Sequence, residues 1–230
     1  MTTLPKQTLT LLTVSGLGVS LLTACPDPTP YVPPTQFTFQ FPALADTADV
    51  RVAAVAFLGQ NNDLKVVSSG YLNGPGTAFI SLYGDDLKSL ANDPGCTTSF
   101  LTGEGAGKVD VTVTPQTAKT CNVYFLIYRD SDRNGQPTSL EELYSTHDLY
   151  SFASEAFSYR LLSPDGRSTE TGTRAAGWSL VRHQVLQPSA TPGQYLVSMN
   201  SVPQADEALT IRMHESTDYF TSQGLTGGRK

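Results

Sequence analysis

Residues 50–58 read VRVAAVAFL, and this stretch decides the fold class. Apart from Arg51, every side chain is small or apolar, and such residues occupy both faces of an extended chain. A strand with one wet face would alternate; this run does not, so it is a central strand covered on both sides. The segments around it carry a period-two signal. FTFQF (37–41) alternates aromatic and polar residues, and LKVVSSGYL (64–72) and TAFISLY (77–83) flank the turn signal Asn73-Gly74-Pro75-Gly76. KVDVTVT (108–114) places Val109, Val111 and Val113 on one face. NVYFLIY (122–128), FSYRLL (157–162), WSLVRHQVLQ (178–187), QYLVSMN (194–200) and LTIRM (209–213) follow.

About ten short strands separated by Gly, Pro, Asn and Asp predict an all-β fold. The expected form is an antiparallel β-sandwich, immunoglobulin-like or jelly-roll-like, over residues 37–215. Two smaller sandwiches meeting near residue 130 are the alternative. DDLKSLA (85–91) and LEELYSTHDLY (140–150) are the candidates for one or two short helices. The final segment, within residues 216–230, has no periodicity and is expected to be a flexible tail.

The first 24 residues, MTTLPKQTLTLLTVSGLGVSLLTA, contain one base (Lys6), no acid, and an apolar-to-small middle too short for a good membrane span. They read as a secretory signal peptide. Leu22-Thr23-Ala24-Cys25 then resembles the lipobox of bacterial lipoproteins. The resemblance implies cleavage before Cys25 and lipidation of that cysteine, hence an extracytoplasmic protein anchored in the cell envelope, at an outer membrane or cell surface. Residues 25–36 continue with PDPTPYVPPTQ, five prolines in eleven positions, an extended spacer between anchor and body. Three cysteines leave one over in an oxidising compartment; with Cys25 lipidated, Cys96 and Cys121 form the candidate disulfide.

Removing Lys6 with the signal leaves 14 of the 15 basic residues against 21 acidic ones, a net charge of −7. There is no basic run, so nucleic acid is not an expected partner. The expected partners are the membrane, through lipid, and an envelope protein or a second copy.

One segment carries metal chemistry. In DSDRNGQPTSLE (130–141), oxygen donors stand at places one, three and five (Asp130, Asp132, Asn134), Gly135 is sixth and Glu141 twelfth. Calcium takes six to eight oxygens. The pattern would supply them with a bend at the glycine, the Gln136 carbonyl, Thr138 at place nine and the Glu141 carboxylate. The loop resembles an EF-hand loop, but a strand enters it and Pro137 removes a backbone donor, so it implies a structural Ca2+ staple rather than a paired sensor. The competing reading is an Asx-rich turn capping a helix, with Ser139 as N-cap and Glu142 as its partner.

The three histidines, His147, His183 and His214, lie far apart with no metal-ligand spacing. His183 shares an apolar face with Val181 and Val185 and reads as a core histidine; His214, in phase with Thr210 and Arg212, is expected to face water. Ser145-Thr146-His147-Asp148 has the residue types of a triad without its geometry. Gly103-Glu104-Gly105-Ala106-Gly107 reads as a hairpin-type loop, and Trp178 as a core residue. No catalytic residue is assigned. The functional expectation is a calcium-stabilised, non-enzymatic binding or structural component of the envelope, within an outer-membrane or surface-layer assembly. The alternatives are an extracytoplasmic hydrolase using loop carboxylates and, less favoured, a copper-binding or redox protein.

Overall fold

The computed structural model describes residues 33–59, 61–188, 195–202 and 210–215. The expected signal peptide, Cys25, most of the expected spacer and the expected 216–230 tail lie outside the described residues. The fold is all-β. Its elements are β1 (Thr35–Gln40), β2 (Val50–Leu58), β3 (Asp63–Gly74), β4 (Thr77–Leu82), α1 (Gly84–Asn92), β5 (Thr98–Ser99), β6 (Val109–Thr114) and β7 (Lys119–Arg129). There follow β8 (Glu142–Ala153), β9 (Phe157–Leu162), β10 (Ser168–Arg174), β11 (Gly177–Pro188), β12 (Tyr195–Ser201) and β13 (Ile211–Arg212).

The strands make one open path, β13-β1-β4-β3-β2-β7-β8-β11-β12-β10-β9-β6, with β5 paired to β7 off the path. Pairing is antiparallel except at β1/β13 and β10/β12. The path is sandwich-like because it folds over itself. Phe37 and Phe39 of β1 lie 5.1 and 5.2 Å, ring to ring, from Phe125 of β7, although three strands separate β1 from β7 along the path. The bend falls in β3, which pairs with β2 along most of its length and with β4 only near its end, with a register shift in each ladder.

Three buried clusters result, the first on one face of the middle strands and the other two on the opposite face. The first holds Phe37, Phe39, Val52, Ala54, Ile80, Leu82, Val123, Phe125, Ile127, Tyr150 and Leu180. The second holds Phe100, Val113, Leu149, Phe157, Tyr159, Val181, Val197 and Met199. Alternate residues of β8 and β11 therefore point into different cores, as Tyr150 and Leu149 do, and Leu180 and Val181. On β2 and β7 the face away from the first core is covered by the third, smaller cluster of Ala53, Val55, Leu126 and Tyr128, and this double burial is the physical reason that VRVAAVAFL and NVYFLIY read as unbroken apolar runs.

α1 confirms one predicted helix. Leu87 and Leu90 bury its inner face, and Asp85 and Asp86 sit in its first turn, where negative charge suits the helix dipole. Thr97 donates its hydroxyl to the Ala91 carbonyl at 2.9 Å, satisfying one end group. The turn then leads to Cys96, whose disulfide with Cys121 ties the end of α1 to β7 across a Cα–Cα distance of 5.0 Å.

Three local expectations are corrected. Residues 140–150 do not form a helix: β8 runs from Glu142, pairing with β7 from its start and with β11 over Leu149–Ala153, and this pairing overrides the helical preference of Leu-Glu-Glu-Leu. Val109 is exposed, because the register of β6 on β9 shifts between Val109 and Thr112 and Asp110 takes a positive φ of 51°. The glycine-rich 103–107 segment is not a hairpin: it links β5, which pairs with β7, to β6, which pairs with β9. The spacer also ends earlier than expected, since β1 starts at Thr35.

Candidate functional site

The 130–141 loop connects β7 to β8 at the edge of the first core. Asp130 is fully buried, and its Oδ1 accepts the Gly135 N–H at 3.1 Å. Gly135 has φ 74°, which an L side chain adopts with strain, so glycine is required at the bend. Asp132 Oδ1 accepts the Asn134 N–H at 3.1 Å, and Asn134 Oδ1 accepts the Gln136 N–H at 2.6 Å, two successive Asx turns that coil the loop inward. Glu141 folds back, taking the Ser131 N–H at 3.0 Å on Oε1 and the Thr138 hydroxyl at 2.9 Å on Oε2.

The coil brings together the carboxylates of Asp130, Asp132 and Glu141, which can each offer an oxygen within 4.8 Å of the others. Among the described residues this is the group placed to share a cation. The remaining predicted ligands are not placed alike. Asn134 Oδ1 is engaged in its turn, and Asn134 Nδ2 donates to Asp132 Oδ2 at 2.7 Å. Thr138 serves Glu141, and Gln136 contributes its N–H to the turn.

Arg51 bears on the same carboxylate. Its Nε lies 2.8 Å from Asp130 Oδ2, yet that oxygen is buried and has no aligned hydrogen-bond donor. The pair is thus a charge contact rather than a well-formed hydrogen bond, and a buried carboxylate oxygen still lacks a directional partner. The guanidinium also lies over the Tyr71 ring, 4.7 Å from its centroid. Sequence reading missed Arg51, since its partner stands 79 positions away. The donor set fits a hard divalent cation through three carboxylates; it is not peculiar to calcium, and Arg51 partly supplies the same compensation. The helix-capping alternative fails, because Glu142 belongs to a strand.

The three histidines converge despite their separation. The His147 ring lies 4.6 Å from that of His183 and 5.1 Å from that of His214, at interplanar angles of 33° and 21°. His214, expected to face water, is half-buried here because its short segment bridges to Ser145. Burial first, then the neighbouring His147 and His214, pushes the His183 imidazole down to about 3. The His147 and His214 rings are stacked and those of His147 and His183 are tilted, so the three imidazoles form a packed row. Asp148 is absorbed locally: it accepts Arg182 Nη1 at 2.6 Å and the His183 N–H at 2.8 Å, with no triad geometry to Ser145. Trp178 packs on Tyr150 at 5.4 Å and 15°, as a core residue should.

A second buried polar network lies under β9 and β10. Arg174 donates to Glu104 Oε2 at 3.0 Å and to Tyr159 Oη at 3.4 Å, and Tyr159 donates to Glu170 Oε1 at 2.6 Å. Burial raises Glu170 and carries the Tyr159 phenol far above its ordinary value. Burial alone would lower Arg174, but Glu104, Tyr159 and Glu170 together hold it above the usual guanidinium value.

No family model, no curated protein and no solved structure matches the chain.

Proposed function

We propose that the protein is a lipid-anchored component of the cell envelope whose β body is steadied by a calcium ion and which acts by binding or assembly rather than by catalysis. The observation that carries the anchor is cysteine arithmetic. Cys96 and Cys121 bond to each other, which leaves Cys25, the lipobox position, as the one remaining cysteine of the chain. The proline-rich spacer behind Cys25 would hold the body away from a surface, where an envelope protein or a second copy could dock. Feeding expressing cells an alkyne-tagged fatty acid tests the anchor. Label that disappears in Cys25→Ala supports it; equal label in both proteins overturns it.

The calcium reading is supported by three carboxylates gathered on one coil and by the buried Asp130 oxygen without an aligned donor. Ion binding to the native state alone adds about 2.7 kcal/mol at a concentration of 100 Kd. The melting temperature is therefore expected to rise with millimolar calcium, fall with chelator, and lose this response in Asp132→Asn. Identical melting with calcium and with chelator rules the ion out. The same carboxylates are spent on loop hydrogen bonds and on Arg51, which favours a stabilising role over a hydrolytic one.

A further inference from the structure

A cavity of about 710 Å³ opens beside the disulfide, within the 300–1,000 Å³ typical of small-molecule clefts. Thr120, Asn122 and Tyr124 reach it from β7, on the side away from Cys121 and Val123. Its polar floor is Glu104, Thr120 and Asn122. Thr120 donates its hydroxyl to Glu104 Oε1 at 2.7 Å, and Asn122 Oδ1 accepts the Ser151 hydroxyl at 2.7 Å, so these groups are held in place from behind. Its apolar wall is Phe57 and Tyr124, whose rings meet at 5.5 Å and 59°; Phe57 is 42% exposed.

Charge narrows the ligand class. Glu104 is the one carboxylate in the lining among the described residues, and Arg174 neutralises it from underneath at 3.0 Å. Arg174 is itself buried, with Nε and Nη1 lacking hydrogen-bond partners. A cationic ligand would find no uncompensated charge, and an anion would meet the Glu104 carboxylate without a lysine or arginine among the described lining residues. A wholly apolar ligand would strip water from Glu104, Thr120 and Asn122 and return no hydrogen bond.

We infer that this cavity binds a neutral sugar ring, its C–H face on Phe57 and Tyr124 and its hydroxyls on Glu104, Thr120 and Asn122. A sugar hydroxyl both donates and accepts, which suits a floor that mixes carboxylate, hydroxyl and amide. The inference deepens the binding role proposed above. It is read by an assay that neither the anchor nor the calcium ion enters, so either can fail alone.

The test is calorimetric titration of the disulfide-bonded protein with glucose, galactose, N-acetylglucosamine and their short soluble oligomers. A parallel pull-down on insoluble polymers of the same sugars separates a free-sugar site from a wall-polysaccharide site. Binding of at least one sugar is expected, weakened about tenfold in Phe57→Ala, a loss typical of one aromatic contact. Because Phe57 is exposed, melting of that variant is expected to be unchanged. Thr102→Trp, at an exposed lining position, is expected to block binding as well. The inference is overturned if no sugar binds in the millimolar range, if Phe57→Ala binds as well as the parent, or if tetramethylammonium binds in preference to every sugar.

Discussion

Acidification should destabilise this protein through His183. The imidazole is 8% exposed, and its folded value of about 3 lies well below the ordinary 6.5. A folded value below the unfolded one means that the unfolded chain takes the proton more readily. Its contribution is therefore complete above pH 6.5 and drains away as the pH falls toward 3. Each unit between those limits costs about 1.4 kcal/mol, so the drop to pH 4.5 removes about 3 kcal/mol. That is a large share of the 5–15 kcal/mol that holds a typical domain together. Urea unfolding across a pH series reads the effect directly. His183→Phe keeps a flat ring against His147 and Met199 but cannot take a proton, so its stability is expected to fall by about 3 kcal/mol less over the same interval. Parallel pH profiles for the two proteins would refute the reasoning.

Other perturbations have different readouts. In Gly172→Ala, the new Cβ meets the Tyr159 ring and the Met199 carbonyl, so a loss of about 2 kcal/mol or more is expected in denaturant unfolding. Reducing Cys96–Cys121 opens a loop with a sequence separation of 25, and the denaturation midpoint is expected to fall by the equivalent of about 3 kcal/mol; an unchanged midpoint under reductant would show that the bond does not constrain the unfolded chain. Arg174→Ala leaves Glu104 and Glu170 without their buried cation, for an expected loss of about 3–5 kcal/mol. Adding Glu104→Gln to that variant should restore part of it, and a double variant no more stable than the single one would mean that charge is not the cause.

The parts of the fold that were legible in the sequence are those where one local rule governs. VRVAAVAFL announced a central strand because burial on both faces leaves no room for polar residues, and NVYFLIY announced a strand. The Asp-Gly spacing of 130–141 announced an inward coil because Asx turns and a positive φ need those residue types. What escaped reading depends on partners distant in the chain. β10, Ser-Thr-Glu-Thr-Gly-Thr-Arg, has no apolar residue to set a period; its strand character comes from pairing with β9 and β12, and its buried Arg174 from an acid 70 residues earlier. LEELYSTHDLY carries strong helix formers at its start, and tertiary pairing overruled them. The histidine row and the Arg51–Asp130 pair join positions that no local spacing connects.

The seating of β1 has a mechanical consequence. All six of its residues pair with β4, its far end also pairs with β13, and Phe37 and Phe39 sit in the first core. Tension on the chain ahead of Thr35 runs along this strand, across its rungs. The rungs share the load and must shear together, instead of peeling away singly. A body held by its leading end would thus meet drag at a strand whose rungs yield together rather than in turn.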